Sequence, residues 1–367
     1  MSAGARESLT VEYEVKLPHS LRVLAVLAAL LGIVACGGPA ETGDESSAAA
    51  APSGGASESA DAFPLTIKHA LGTVTIPQKP ERIVTVNWAN HEVPLALGVV
   101  PLGMAAANFG DDDNDGLLPW VKKRLDELGA KTPVLFDEND GIDFEAVADL
   151  KPDVILAAYS GLTKQDYETL SEIAPTVAYP DAPWATPWRE IIRLNSKAIG
   201  LAAEGERLIS DIEARITATV DKYPQIKGKS VMFLTHVEPN DVSQIGFYTT
   251  HDTRTLFFED LGMRIPDSIA EASKGTDKFF LSRSAEQIDV FDDVDIITGY
   301  GDEKGELLAK ISKDPLLSKI PAIDRGSVYL LPGSTPLSTA ANPTPLAISW
   351  VLEDYVKGLA EAADKVK

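Results

Sequence analysis

The sequence is short of the residues that carry most covalent and metal chemistry. Its 367 residues include one cysteine, Cys36, and five histidines. A single cysteine excludes an intramolecular disulfide and any zinc site built from several cysteines. Basic residues are also scarce, with 33 lysines and arginines against 55 acids, so the net charge is −22. This acidity argues against nucleic acid or an anionic membrane surface as the main partner.

Motifs of common hydrolases are missing as well. The chain has no G-x-S-x-G, no H-E-x-x-H and no cysteine placed as a nucleophile. The glycines of GYGDEKG, residues 299–305, follow an apolar strand but lack the spacing of a phosphate loop. These absences argue against an enzyme of those classes. A lipid-anchored extracytoplasmic hydrolase is the alternative from another class.

Metal-binding patterns are weak in this sequence. The four histidines after the N-terminal apolar run have no metal-site spacing: His69, His91, His236 and His251. The segment DDDNDG, residues 111–116, matches the first half of a calcium loop. Its twelfth position is Lys122, where a calcium loop needs a bidentate glutamate. We interpret the segment as a solvated acidic loop and predict no metal site.

Long apolar runs are limited to one, near the N-terminus. Residues 23–35, VLAVLAALLGIVA, are 13 apolar residues preceded by Lys16, His19 and Arg22. A membrane-spanning helix needs about 20 residues, so this run predicts the hydrophobic region of a signal peptide. We assign residues 1–35 to that signal peptide.

The lone cysteine follows this run directly. The sequence IVAC, ending at Cys36, resembles the lipobox of bacterial lipoproteins, which implies that Cys36 is lipidated and becomes the mature N-terminus. An inert cysteine in a secreted protein, or an uncleaved anchor, are the alternatives. Residues 37–62 are almost wholly Gly, Ala, Ser, Pro and acids, a composition that cannot bury enough surface to fold. We therefore predict a lipidated cysteine and flexible linker at 36–62, and an extracytoplasmic, membrane-anchored protein.

The rest of the chain predicts an α/β fold. A hairpin at 65–76 is followed by apolar strands that alternate with helices, which is typical of parallel sheets. The pattern changes to one long helical stretch over 188–223, with at most a break near residues 200–205, and then resumes to the C-terminus. We predict two Rossmann-like lobes with parallel sheets, at 63–187 and 224–367, joined by a single long α-helix.

Several long segments then resemble one known family. They include PERIVTVNWANHEVPLALGVVPLGMA, DGIDFEAVADLKPDVILAAYSGLTKQDYETLSEIAPTVAY, PWATPWREIIRLNSKAIG, FFLSRSAEQID and PLAISWVLEDYVKGL. In this order they resemble the iron-siderophore substrate-binding lipoproteins of ABC importers, which are class III periplasmic binding proteins. The resemblance implies two α/β lobes with a ferric siderophore bound between them, at the carboxyl ends of the strands. Haem, cobalamin or another metal chelate in the same fold is the alternative ligand.

The resemblance also implies partners. Glu145, in DFEAV, and Glu286, in SAEQI, match the glutamates that pair with permease arginines in the cobalamin-binding relative. Paired carboxylates on two lobes would fix the orientation of docking on a permease dimer. The alternative is that each glutamate merely favours its own helix N-terminus. We expect a monomer that is tethered by its lipid.

A ferric siderophore encloses its iron, so the resemblance implies no cofactor and no metal ligand from the protein. Aromatic faces and arginines would recognise the outside of the chelate. Side chains of these types that follow predicted strands or precede the long helix are our candidates for ligand binding: Trp88, Trp184, Trp188, Arg189, Tyr248, Arg254, Arg283 and Tyr300. Taken singly, each could instead be a packing or solvated side chain.

Overall fold

The computed structural model describes residues 62–235 and 241–366. The signal peptide, Cys36 and the linker up to residue 61 lie outside the described residues, as does His236. Among the helices that are described, none combines the length and apolar composition that a membrane span requires.

The first lobe opens with an antiparallel hairpin of β1 (Leu65–His69) and β2 (Gly72–Ile76), in which Leu65 lies opposite Ile76. Alternate residues of β1 are buried, as the period of two in LTIKH requires. The predicted hairpin is confirmed.

A parallel five-stranded sheet forms the centre of this lobe, in the order β5-β4-β3-β6-β7. Its strands are β3 (Ile83–Thr85), β4 (Gly103–Ala105), β5 (Val134–Phe136), β6 (Val154–Leu156) and β7 (Thr176–Val177). The helices between them are α1 (Glu92–Ala96), α2 (Pro119–Glu127), α3 (Phe144–Asp149) and α4 (Lys164–Ile173). Strands β3 and β6 are completely buried, because helices cover both faces of the sheet.

Two helices join the lobes, α5 (Trp188–Ala198) and α6 (Ala202–Val220). The helical stretch predicted over 188–223 is therefore not a single helix, and its break lies near Gly200, where the sequence allows one. Gly200 has a φ of +68°, in the left-handed region that ends a helix, so α5 stops there. Helix α6 then packs closely on α5, and a methyl group at Gly205 would lie 2.1 Å from Ser196 Oγ.

The second lobe contains a mixed sheet in the order β10-β9-β8-β11-β12. Its strands are β8 (Val231–Leu234), β9 (Gln244–Tyr248), β10 (Phe280–Ser284), β11 (Ile296–Tyr300) and β12 (Val328–Leu331). Strands β8, β11 and β12 are parallel as predicted, whereas β9 runs antiparallel to both its neighbours. The connection from β8 to β9 is too short for a parallel crossover, which needs a dozen or more residues.

The helices of the second lobe are α7 (Thr253–Asp260), α8 (Asp267–Ser273), α9 (Glu306–Ile311), α10 (Pro321–Asp324), α11 (Pro336–Ala340) and α12 (Pro345–Ala363). Short 3-10 helices lie at Pro224–Ile226, Ala285–Phe291 and Leu317–Lys319.

The last helix, α12, belongs to both lobes. It packs on α1, α2 and α6 as well as on β11 and β12. Glu92, in α1, accepts hydrogen bonds from Trp120 Nε1 and from the backbone N–H of Leu346, both at 2.7 Å. This buried carboxylate therefore holds the N-terminus of α12, where the helix dipole favours negative charge.

Candidate functional site

A cavity of about 440 Å³ lies between the lobes. It is bordered by the loops after β3, β4, β5 and β6, and by side chains of the second lobe. The sequence order of the first sheet reverses where β3 pairs with β6, and open α/β sheets bind ligands at such a switch point. The cavity is lined by Asn87, Trp88, Ala105, Ala106, Asn108, Phe109, Glu138, Tyr159, Trp184, Arg254, Phe279, Tyr300, Thr339 and Asn342.

Four of the eight residues that the sequence proposes for ligand binding line this cavity: Trp88, Trp184, Arg254 and Tyr300. A fifth, Tyr248, lies directly behind them. Its ring supports the guanidinium of Arg254, which is 4.0 Å from the ring centroid. The strand-end positions of these residues in the sequence therefore place five side chains at one site. Their contact with a ligand stays a prediction.

Arg254 is held on three sides. Its Nε and Nη2 donate to the two carboxylate oxygens of Asp252, at 2.8 and 2.7 Å, and its Nη1 donates to Tyr300 Oη at 3.1 Å. The side chain of Asp252 is fully buried and that of Arg254 is 14% exposed. The guanidinium is thus fixed in position, and a buried carboxylate already balances its charge.

The other three candidates lie elsewhere, and we no longer assign them to the cavity. Trp188 is buried in α5, where its Nε1 donates to Asp260 at 2.8 Å, and Arg189 pairs with that same aspartate at 2.9 Å. Arg283 lies opposite Ile245 in the β9–β10 pair. The cavity is at the other end of β10, where Phe279 precedes the strand.

Glu138 and Asn87 are cavity residues that a search for aromatic and cationic side chains passes over. The backbone N–H and Nδ2 of Asn87 both donate to Glu138 Oε2 at 2.9 Å. The other oxygen, Oε1, is buried and has no hydrogen-bond partner among the described residues. Burial raises the pKa of Glu138 above its ordinary value. The sequence does contain a signal that places Glu138 at the cavity. Glu138 comes shortly after strand β5, just as Trp88 comes shortly after strand β3.

Comparison with known proteins identifies the fold. Residues 83–335 match the family model described as periplasmic binding protein. The chain belongs to the periplasmic binding protein family. It is 44% identical to PiaA of Streptococcus pneumoniae, solved in complex with ferrichrome, with a TM-score of 0.78 over 82% of this chain and 99% of PiaA. The predicted two-lobed α/β fold is confirmed, and a family of binding proteins agrees with the missing hydrolase motifs.

Two curated relatives come from Bacillus subtilis. The probable siderophore-binding lipoprotein YfiY is 28% identical over 60% of this chain, and the match spans 64% of YfiY. The iron(3+)-hydroxamate-binding protein YxeB is 25% identical over 82% of this chain and 85% of its own length.

The two glutamates proposed for docking are exposed in this periplasmic binding protein. Glu145 lies in the first turn of α3, and Glu286 in the 3-10 helix Ala285–Phe291. Within the described residues neither carboxylate has an ion-pair partner. Both are therefore available to basic groups of another protein, and their docking role stays a prediction.

The acidic loop at residues 111–116 has a cation of its own. Carboxylate oxygens of Asp111, Asp113 and Asp115 lie within 4.8 Å of one another. Lys122 Nζ is 2.6 Å from Asp113 and 2.5 Å from Asp115. The lysine at the twelfth position thus supplies the positive charge that calcium brings to such loops. That this acidic loop holds no metal stays a prediction.

Proposed function

We propose that this protein is an extracytoplasmic binding protein that captures a ferric siderophore in the interlobe cavity and delivers it to an ABC importer. The observation that carries the proposal is the cavity itself. It lies at the switch point of the first sheet, and its walls present Trp88, Trp184 and Tyr300. Aromatic faces suit the outer surface of a chelate whose iron is already fully coordinated.

The charge of the cavity favours a ferric hydroxamate. Three hydroxamate groups balance the charge of Fe³⁺, whereas three catecholates leave the complex strongly anionic. Arg254 is already neutralised by Asp252, so an anionic ligand would be buried without a free cation, at a large cost. The ferrichrome complex of PiaA and the hydroxamate-binding name of YxeB support the same ligand class.

Tryptophan fluorescence tests this proposal. Purified protein is titrated with ferrichrome, a ferric tris-catecholate, haem and cobalamin. We expect quenching by the ferric hydroxamate, because Trp88 and Trp184 line the cavity. Trp184→Ala should weaken binding about tenfold, or ~1.4 kcal/mol, through loss of one aromatic wall. Trp350→Ala is the control, since Trp350 is 40% exposed and lies in a different groove.

Preferential quenching by the catecholate, haem or cobalamin would change the proposed ligand. Quenching by none of the four, together with turnover of a generic ester or peptide, would replace the binding function by the hydrolase.

We further propose that lipid on Cys36 keeps the protein at the outer face of the cell membrane. The lipobox-like sequence and the lipoprotein name of YfiY support this location. Labelled palmitate should be incorporated by the wild-type protein and not by Cys36→Ser, and equal labelling of both would refute the anchor.

The proposed partner is a permease dimer that receives the lobes through Glu145 and Glu286. Their exposure and their lack of ion pairs within the described chain support this role. Two separated carboxylates can fix the orientation of a monomer on a symmetric basic surface.

A further inference from the structure

One side chain of the cavity wall, Glu138, carries a charge that no ion pair balances within the described part of the chain. Of the described residues that line the cavity, two are charged, Arg254 and Glu138. The guanidinium is balanced by the bidentate contact with Asp252. Glu138 has no such partner, because its hydrogen bonds come from the neutral amides of Asn87. A ligand in the cavity therefore meets a wall that carries net negative charge.

The environment of Glu138 shows that this charge is not compensated. Oε1 is shielded from water and accepts no hydrogen bond among the described residues. An unpaired buried acceptor costs free energy, more so when it is charged. Burial raises the pKa of Glu138, which is the direction expected for a carboxylate without a nearby cation. A positive charge that a ligand brings near this carboxylate would stabilise it through space.

We infer that Glu138 sets the charge preference of the cavity, so that it favours ferric hydroxamates bearing an ammonium group over uncharged ones and disfavours anionic ferric complexes. The inference rests on the proposed function and deepens it. Opposite charges attract strongly across a cavity whose walls exclude water, so one carboxylate is enough to separate ligands of equal shape. Arg254 does not cancel this preference, because Asp252 already neutralises it.

The test compares two ligands that differ by one charge. A linear ferric trihydroxamate with a free terminal ammonium and its N-acetylated form present the same iron chelate. Both are titrated into the full chain, with tryptophan quenching as the readout. We expect the ammonium form to bind the wild-type protein about tenfold more tightly. In Glu138→Gln the two affinities should become equal, because glutamine still accepts from Asn87 but carries no charge.

Asp140→Asn is the matched control. Asp140 is an exposed acid on the same loop, so this variant removes the same formal charge outside the cavity and should keep the tenfold ratio. Equal binding of the two ligands by the wild-type protein would overturn the inference, even if Glu138→Gln failed to fold. An unchanged ratio in Glu138→Gln would overturn it too. Failure of both hydroxamates to bind at all would instead refute the proposed function.

Discussion

At the scale of single residues, Asn90 holds the two strand ends that carry the cavity. Its Nδ2 donates to the backbone oxygens of Val86 and Tyr159, both at 2.8 Å, and its Oδ1 accepts from the N–H of Tyr159 at 3.0 Å. Asn195, in α5, donates to the same Oδ1 at 3.2 Å. One buried amide thus joins the loop after β3, the loop after β6 and helix α5. The cavity walls are fixed before a ligand arrives, which lowers the entropy cost of binding.

The lowered pKa of the neighbouring His91 makes the stability of the protein depend on pH. Burial lowers the pKa of His91 to about 4, whereas the unfolded chain binds that proton near 6.5. Between these values the unfolded state holds more protons, so stability falls as the pH falls. The loss amounts to about 2 kcal/mol between about pH 7.5 and about pH 5. Urea denaturation of the wild-type protein and of His91→Gln at both pH values measures it, and the glutamine variant should lose less stability on acidification.

His251→Gln is the control, because His251 is half-buried and its Nε2 donates to the backbone oxygen of Ser273 at 3.4 Å. The stability of this variant is measured at the same two pH values, to separate the removal of an imidazole as such from the effect at His91. Parallel pH profiles for the wild-type protein and His91→Gln would contradict the prediction.

The candidate site could be predicted in part from residue type and position. The rule that ligands meet the carboxyl ends of strands correctly placed Trp88, Arg254 and Tyr300. It failed for Trp188 and Arg189, because both are bound by Asp260, a partner that is distant in sequence. Orientation of a side chain toward the cavity or toward a neighbouring helix depends on such tertiary partners, which a single sequence does not display.

At the scale of elements, the close packing of α5 on α6 depends on Gly205. A Cβ at this position would lie 2.1 Å from Ser196 Oγ and 2.7 Å from Ser196 Cβ. In an uncrowded helix Gly→Ala stabilises by roughly 1 kcal/mol, whereas overpacking costs about 1–3 kcal/mol. We expect Gly205→Ala to lower the free energy of unfolding, as measured by the urea midpoint.

A second variant separates crowding from other effects. In the Ser196→Gly background the colliding atoms are gone, so Gly205→Ala should no longer destabilise. An equal cost of Gly205→Ala in both backgrounds would show that Ser196 is not the cause.

Local sequence patterns predicted most strands and helices of the first lobe. They did not settle where a helix breaks, or that the second sheet combines parallel and antiparallel strands. The capping box of α4, with Thr163 and Asp166, is present as the sequence indicates. A break near Gly200 could be anticipated but not settled from the sequence, since an isolated glycine is also tolerated inside a helix. Likewise, a strand has the same apolar pattern whether it pairs parallel or antiparallel, so the reversal of β9 was not visible in the sequence.

At the scale of the whole molecule, the proposed docking uses one carboxylate on each lobe. We predict that Glu145→Ala combined with Glu286→Ala lowers cellular uptake of the iron complex at least about tenfold, because two charge-assisted contacts with the permease are lost. Ligand affinity in solution should stay within about twofold, since both residues lie outside the cavity.

The control removes two other exposed acids, Glu168 of α4 and Glu271 of α8, and so changes the net charge equally. Normal uptake is expected for that variant. A large loss of ligand affinity in the Glu145 and Glu286 double variant, or an equal loss of uptake in the control, would contradict a docking role.

The position of α12 also bears on the order of folding during synthesis. The carboxylate of Glu92, in the first lobe, accepts a hydrogen bond from the backbone N–H of Leu346, which is 254 residues later in the chain. Side chains of α12 share one hydrophobic cluster with Val93, Val121 and Phe233, and so with both lobes. Domains usually fold in the order in which the ribosome makes them. Here Glu92 gains the N–H of Leu346, and the first lobe gains its contacts with α12, only after the C-terminal helix has been made.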